Sequence, residues 1–174
     1  MTYIVVDVET DGPIPGDYSM ISLGAVMVEE GLKHTFYKEI KPISKKYEIK
    51  RLNFLKLSRQ ETLKQEEPIK VLKEFIQWIK KNSKDYPIFV SDNNGFDWMF
   101  VCWYLEHFIG KNPFGYNSMN LNSLYAGVTK QLNNNIKKIR KSLTHNALED
   151  AKENAHILLT LIKSNNLKFP KGKS

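Results

Sequence analysis

The stretch IVVDVETDG, residues 4–12, is an apolar run that passes into acidic residues and closes on a glycine. In a β-strand, residues i and i+2 project from the same face, so Asp7 and Glu9 lie side by side at the carboxyl end of this strand. Two carboxylates held so close repel one another and resist desolvation. A divalent cation between them would remove both costs. This motif alone leaves open the alternative that the two acids begin a solvated loop or bind nearby lysines.

The composition predicts one globular domain over residues 1–174. Hydrophobic residues make up 41% of the chain and charged residues 26%, which is enough apolar material for one core. We expect no second domain, and we expect the basic tail at about residues 168–174 to be frayed. The single cysteine, Cys102, excludes a disulfide framework and a cysteine-based metal site.

The charge balance points to a polyanionic partner. Lys and Arg number 26 against 19 Asp and Glu, which gives a formal net charge of +7 and a sequence pI near 9.3. A genome rich in lysine and asparagine codons explains the same bias equally well. The chain shows neither a basic leader nor a long apolar run, so we expect a cytoplasmic protein without a membrane partner.

Hydrophobic periodicity predicts strands first and a strand–helix alternation afterwards. The predicted strands are 3–8, 20–28, 34–41 and 87–92, and the predicted helices are 68–81, 95–108 and 146–163. Short links join the first three strands, which favours antiparallel neighbours. The later alternation predicts a mixed sheet with helices on both faces, that is, an α/β fold. Segments 111–122 and 130–145 are typical of loops.

A third acid follows the fourth predicted strand. Asp97, in NNGFDWMF, lies inside the first turn of the next helix, where a negative charge is favoured electrostatically. Taken alone, Asp97 is better explained as a helix-start acid than as a functional residue.

The stretch THNALEDA predicts the start of the last helix. Asn146 followed three residues later by Glu149 is typical of a capping box, so the helix begins near Ala147. His145 then lies in the preceding loop, where an isolated histidine is usually an ordinary surface residue. Asp150 ends the first turn, roughly 130° around the helix from an apolar stripe. That stripe consists of Leu148, Ala151, Ala155, Leu158 and Ile162.

Together these motifs resemble the DEDDh branch of the DnaQ-like 3′-to-5′ exonucleases, the branch that includes ribonuclease T. Three motifs match in order: DVETDG with Asp7 and Glu9, Asn-x-x-Phe-Asp from Asn93 to Asp97, and His-x-Ala-x-x-Asp from His145 to Asp150. The match spans nearly the whole chain. It implies a ribonuclease H-like fold, with a five-stranded mixed sheet whose first three strands are antiparallel.

The resemblance also implies the chemistry. In that family the four carboxylates hold two Mg²⁺ or Mn²⁺ ions, and hard cations of this kind do prefer carboxylate oxygens. By resemblance, Asp7 contacts both ions, Glu9 and Asp150 complete one site, and Asp97 holds the second ion. His145 is the implied general base, a role suited to a side chain that titrates near neutral pH. The implied reaction releases nucleoside 5′-monophosphates.

The substrate surface is less sharply indicated. The implied partner is the 3′ end of single-stranded RNA or DNA, since the motifs do not distinguish ribonucleases from deoxyribonucleases. The resemblance also allows a homodimer. Basic residues before His145 are expected to bind phosphates, although a solvated helix face explains them equally well. The candidate substrate-binding residues are Thr10, Asp11, Gly12, Asn93, Phe96, Lys137, Lys138 and Arg140.

Two alternatives use the same residues differently. One is an inactive nucleic-acid-binding module of this fold, or a proofreading domain that acts only with a polymerase. The other is a haloacid-dehalogenase-like phosphatase, with VVDVET, Ser91 and the Glu149–Asp150 pair as its motifs. The phosphatase interpretation needs an Asp where Glu9 stands, and it leaves Asp97 and His145 without a role.

Overall fold

The computed structural model describes residues 1–140 and 144–168. The strands of this part of the chain are β1 (Thr2–Thr10), β2 (Met20–Met27), β3 (Thr35–Glu39), β4 (Pro87–Ser91) and β5 (Ser118–Asn120). Its α-helices are α1 (Ile49–Phe54), α2 (Arg59–Thr62), α3 (Pro68–Asn82), α4 (Asn94–Ile109), α5 (Leu121–Thr129) and α6 (Ala147–Ser164). None of the helices in these two ranges is long and apolar enough to cross a membrane.

The strands form one sheet in the order β3-β2-β1-β4-β5. β1 pairs antiparallel with β2, and β2 pairs antiparallel with β3. β4 runs parallel to β1, and β5 runs parallel to β4. The predicted mixed sheet, antiparallel in its first three strands, is therefore confirmed.

Helices cover both faces of the sheet because the apolar strands present core residues on both sides. Ile4, Val6 and Val8 of β1 face the buried residues of α3 and α4. Val5 faces the opposite way, toward α5 and α6. A central strand buried on both faces has a continuous apolar sequence, as residues 4–8 do apart from Asp7.

A crevice opens where β1 and β4 separate. Their parallel pairing extends only as far as Val5 and Val90, and β4 ends at Ser91. Beyond that point β1 keeps its antiparallel partner on one side and, within residues 1–140 and 144–168, pairs with no strand on the other. The carboxyl end of β1, with both of its acids, therefore borders the open position that ligands commonly occupy in α/β sheets.

The predicted loops were partly wrong. Segment 111–122 contains β5 and the start of α5, whose N-terminus is capped by the Asn120 side chain, which accepts a hydrogen bond from the Ser123 N–H. Segment 130–145 contains a 3₁₀ turn at Ile136–Lys138. Residues 141–143, including Lys141, lie outside the described residues, as does nearly all of the tail that was expected to fray.

Candidate active site

A glycine in β2 allows the last helix to approach the acids of β1. Gly24 lies directly opposite Asp7 in the antiparallel ladder. A Cβ atom at Gly24 would lie 2.2 Å from the backbone carbonyl of Ala147, the first residue of α6. Any side chain here would therefore displace the start of α6, and its absence lets that helix begin against the sheet beside Asp7.

Asp150 is held by the backbone that enters α6. Its carboxylate accepts hydrogen bonds from the Thr144 N–H at 2.9 Å and the His145 N–H at 3.0 Å. His145 has a φ of 55°, a left-handed conformation that is uncommon outside glycine and often found at functional sites. Through these bonds Asp150 fixes the turn that presents His145.

The start of α6 was predicted correctly, but two details were wrong. Asn146 is the N-cap, and its side chain accepts from the N–H groups of Leu148 and Glu149. The Glu149 side chain does not complete a capping box; it pairs with Lys152 at 2.8 Å. Asp150 does not project away from the anchored face, because it is 2% exposed and lies among the buried residues of α6.

Asp97 reaches the same end of β1 from the opposite side of the crevice. Its Oδ1 accepts a hydrogen bond from the Val8 N–H at 3.2 Å. This N–H lies on the side of β1 that β4 has left, between the two acids of the strand. The bond places the first turn of α4 directly beside Asp7 and Glu9.

The predicted acids and the histidine therefore converge. Ligand atoms of Glu9, His145 and Asp150 all lie within 4.8 Å of one another, and these are the one such group among the described residues. Asp7 lies next to this group, since Asp97, Glu9 and Asp150 all act on it electrostatically. The cluster is built from residues far apart in sequence, on β1, α4 and the entry to α6.

The electrostatics of the cluster favour a bound cation. Burial raises the pKa of Glu9 to about 7, with a further contribution from Asp150 that Arg51 opposes. Burial and the negative charge of Asp92 raise the pKa of Asp97 to about 7. Burial, followed by Asp97 and Glu9, raises the pKa of Asp7 well above its usual value. Raised pKa values mean that the negative charges of these carboxylates are poorly compensated, so a bound divalent cation would stabilise them. Carboxylate oxygens are also the ligands expected for a hard divalent ion.

This crowding predicts how the stability of the metal-free protein depends on pH. A carboxyl whose pKa is higher folded than unfolded binds more protons in the folded state, so the free energy of unfolding falls as pH rises from about 4.5 to 7. In EDTA we expect the melting temperature at pH 8 to lie roughly 5 °C or more below that at pH 6. Mn²⁺ should raise it most at the higher pH.

The Glu9→Gln variant is the control for this effect. It removes one of the carboxyls whose pKa is raised to about 7, so its melting temperature in EDTA should change less between pH 6 and pH 8. Scanning fluorimetry of both proteins makes the comparison. Equal pH dependence in both proteins would show that Glu9 does not destabilise the metal-free fold.

Helix α1 brings two residues to the site that the sequence analysis missed. Arg51 Nη1 donates to Thr10 Oγ1 at 3.2 Å, and its guanidinium carbon lies 5.7 Å from the centre of the Phe96 ring. The Phe54 ring lies 3.9 Å from the His145 ring, centroid to centroid, and is 62% exposed. The Ser58-x-x-Glu61 pattern forms a capping box and was a sequence signal for α2, whereas α1 has no side-chain cap at its N-terminus.

The predicted substrate residues at the end of β1 and just after it are largely internal. Thr10, Asp11 and Gly12 are buried, and the Asp11 N–H and C=O are already bonded to Ser19 and Glu48. Thr10 Oγ1 donates to the Gly12 carbonyl at 2.9 Å. A backbone contact from Asp11 to a nucleotide would require these bonds to open, whereas Thr10 and Gly12 stay candidates.

At the start of α4, both predicted substrate residues border the site. Asn93 is exposed and is the N-cap residue of the helix. Phe96 is partly buried and packs on Phe100 at 5.2 Å between ring centroids. The positions of both residues are compatible with a substrate contact, which stays a prediction.

The basic residues divide into two kinds. Lys137 and Lys138 are exposed, as a phosphate contact requires. Arg140 is not: its side chain is 4% exposed and pairs with Asp92 at 3.1 Å. It also donates to Asn154 of α6. Arg140 is therefore not placed to bind a phosphate, in contrast to what the sequence suggested. It has an internal role instead, in which it neutralises Asp92 behind the acidic cluster.

The family follows from a comparison with known proteins. A model of the 3′-5′ exoribonuclease Rv2179c-like domain matches residues 2–162. The chain belongs to this family. As an Rv2179c-like protein it is a 3′-5′ exonuclease, which confirms the enzyme class expected from its motifs. The phosphatase alternative finds no support, since Asp150 lies in a helix rather than after a strand.

A curated relative supports the same class. The 3′-5′ DNA exonuclease Cap18 of Escherichia coli is 34% identical over 176 residues, which cover 92% of this Rv2179c-like chain and 91% of Cap18.

Solved structures share the fold at low identity. The nuclease domain of 3′hExo, a DEDDh family member bound to rAMP, has a TM-score of 0.76 at 18% identity, with 94% of the Rv2179c-like chain and 92% of that domain covered. The cell-death related nuclease CRN-4 has a TM-score of 0.75 at 17% identity over 94% of this chain. Exonuclease I of E. coli, bound to dT13, has a TM-score of 0.72 at 14% identity over 95%. The chain spans 64% of CRN-4 and 41% of Exonuclease I.

Proposed function

We propose that this single-domain chain hydrolyses single-stranded nucleic acid from its 3′ end and releases nucleoside 5′-monophosphates. The observation that supports it most is the meeting of Glu9, His145 and Asp150, with ligand atoms within 4.8 Å of one another at the carboxyl end of β1. A histidine beside crowded carboxylates in an open crevice combines a proton acceptor with cation ligands.

Two divalent cations, Mg²⁺ or Mn²⁺, are the proposed cofactors. The carboxylates that would hold them are those of Asp7, Glu9, Asp97 and Asp150. The pKa values of the first three are raised because their negative charges are buried close together. Bound ions of this kind supply a nucleophile at neutral pH and neutralise charge at the leaving oxygen. With its carboxylates neutralised, the crevice can admit a phosphodiester anion.

His145 is the proposed general base. Its left-handed backbone turns the ring toward Glu9, while its N–H bonds the Asp150 carboxylate at 3.0 Å. Contact with the Phe54 ring limits the freedom of the imidazole on its outer side. Held in this way, the ring can take a proton from a water molecule that lies among the carboxylates.

The substrate strand is proposed to enter past α1 and the first turn of α4. Arg51 and Phe96 offer a planar cation and an aromatic ring beside the acids, and both groups suit stacking on unpaired bases. The family description names an exoribonuclease and Cap18 is a DNA exonuclease. We therefore expect the chain to hydrolyse both RNA and DNA strands.

A nuclease assay of the purified chain tests this proposal. Oligonucleotides of RNA and DNA labelled at the 5′ end should shorten stepwise in Mg²⁺ or Mn²⁺, and chromatography should show nucleoside 5′-monophosphates. An inactive binding module would retain the strands without shortening them. Cleavage in excess EDTA, or activity confined to small phosphomonoesters, would overturn the proposal.

Exposed lysines give a further prediction about strand binding. Changing Lys137 and Lys138 to Ala should weaken binding and reduce the slope of log affinity against log salt by up to roughly 0.7 for each phosphate that the variant no longer binds. Both side chains are exposed on the 3₁₀ turn before the site. The matched control is Lys80→Ala with Lys81→Ala on the last turn of α3. If both pairs give the wild-type slope, these lysines belong only to a solvated surface.

A further inference from the structure

An ion pair beside the active site ties β1 to the segment that carries α1. Arg59 Nη1 lies 2.8 Å from Asp11 Oδ2, and the two side chains are 16% and 0% exposed. Asp11 follows Glu9 by two positions, whereas Arg59 is the first residue of α2, just beyond α1. The pair therefore joins the catalytic end of β1 to the far side of α1.

Further bonds close a frame around this pair. The other carboxylate oxygen of Asp11 accepts from the Ser19 N–H at 2.5 Å, and the Asp11 carbonyl accepts from the Glu48 N–H at 2.8 Å. Arg59 also donates to the Ser44 carbonyl. The Tyr47 ring covers its guanidinium at 4.9 Å. Segment 44–59 is thus attached to β1 on both sides of α1.

Helix α1 cannot hold this position by itself. It has six residues, no side-chain cap at its N-terminus and one buried side chain, Leu52. Isolated helices of this length are unstable in water, so the location of α1 depends on what fixes its ends. The Glu48 N–H fixes one end, and the Asp11–Arg59 pair fixes the other.

The same short helix carries the two residues that reach the acidic cluster. Arg51 contacts Thr10, the residue after Glu9, and Phe54 contacts His145. A shift of α1 would therefore displace both groups together while the carboxylates of β1, α4 and α6 stay in place.

We propose that Asp11 and Arg59 are positioning residues that hold α1 against the active site, so that Arg51 and Phe54 meet the substrate and His145. This gives Asp11 a role different from the substrate contact that the sequence suggested. A buried ion pair often adds little to the free energy of unfolding, because burying the two charges costs about as much as their attraction returns. We therefore expect the main contribution of the Asp11–Arg59 pair to be the position of α1. The inference rests on the proposed function, because its readout is hydrolysis of the strand.

The test compares the Arg59→Ala change in two backgrounds. In the wild type we expect kcat/KM on a single-stranded oligonucleotide to fall about tenfold, through KM because Arg51 supplies a binding group and through kcat because Phe54 holds the His145 ring. In a background that already carries Arg51→Ala and Phe54→Ala, the same change should cost less than about twofold, because α1 then has nothing to position. Arg59→Lys should recover only part of the loss, because an ammonium keeps the charge opposite Asp11 but cannot also reproduce the guanidinium's contacts with Ser44 and Tyr47.

Controls separate position from general damage. Lys38→Ala removes a paired, partly exposed cation of β3 that is away from the site, and it should leave KM unchanged. Mn²⁺ affinity measured by calorimetry should match the wild type in every Arg59 variant. If Arg59→Ala does not fold, Tyr47→Ala, which removes only the covering ring, carries the same comparison.

Equal losses in the two backgrounds, or weakened Mn²⁺ binding in Arg59→Ala, would overturn the positioning role. If the wild type is active and Arg59→Ala has the same KM, the positioning role is also overturned. An inactive wild type would instead overturn the proposed function, so the two failures are distinguishable.

Discussion

The Asp7→Asn variant should lose nearly all exonuclease activity, by at least about 10³-fold. Asp7 lies next to the Glu9–His145–Asp150 group, and the charges of Asp97, Glu9 and Asp150 all act on it. An amide of the same shape keeps the packing of β1 but removes the charge that would hold the cations. Calorimetry with Mn²⁺ should therefore show weakened binding, while the melting temperature in EDTA should rise, because a crowded carboxylate is gone.

Asp85→Asn is the matched control for this variant. Asp85 pairs with the amino terminus, and its side chain is 43% exposed. The same chemical change there should leave both turnover and Mn²⁺ affinity near the wild type. An Asp7→Asn protein that still binds Mn²⁺ normally and degrades oligonucleotides would remove Asp7 from the metal site.

His145→Ala should reduce turnover by about 10²- to 10⁴-fold, the usual contribution of a positioned general base. Every carboxylate stays in place, so Mn²⁺ and oligonucleotide affinities should remain close to those of the wild type. The acidic limb of the pH–rate profile should also change, because the group that must be neutral to accept a proton is missing. Single-turnover kinetics across pH, combined with calorimetry, measures these quantities.

Two outcomes would contradict this role for His145. Wild-type turnover with an unchanged pH profile would make it an ordinary loop residue. A large loss of Mn²⁺ affinity would show that His145 is a metal ligand. The geometry also allows this role, since a ring nitrogen of His145 lies within 4.8 Å of carboxylate oxygens of Glu9 and Asp150. His156→Ala, on the exposed side of α6, is the control and should behave like the wild type.

The long elements and the acidic site could be predicted because their signals are strong and local. β1 is apolar from Ile4 to Val8 apart from Asp7, and α3 shows clear helical periodicity after Pro68. The acids and His145 could be identified because their motifs occur in order along the chain. Asp7, Glu9 and Asp97 converge because the parallel strands β1 and β4 end at the same edge of the sheet. His145 and Asp150 join them because Gly24 lets α6 begin beside Asp7.

What the sequence did not show depends on tertiary contacts. α1 and α2 have six and four residues, too few for periodicity to reveal, and they are held by bonds to distant residues such as Asp11. Arg140 looked like a surface cation because its partner, Asp92, lies 48 residues away. The predicted direction of Asp150 was wrong because the buried face of α6 is wider than the predicted stripe and also includes Ala147, Asp150 and Asn154.

The hydrogen bond from the Val8 N–H to Asp97 also constrains how the enzyme acquires activity during folding. Its two residues are 89 positions apart, and His145 and Asp150 are further still from β1. Contacts of such high sequence separation form late, because the entropy of closing long loops must be overcome first. In a refolding experiment, recovery of nuclease activity should therefore lag behind recovery of helical circular dichroism. Partly folded chains should then be unable to degrade nucleic acid.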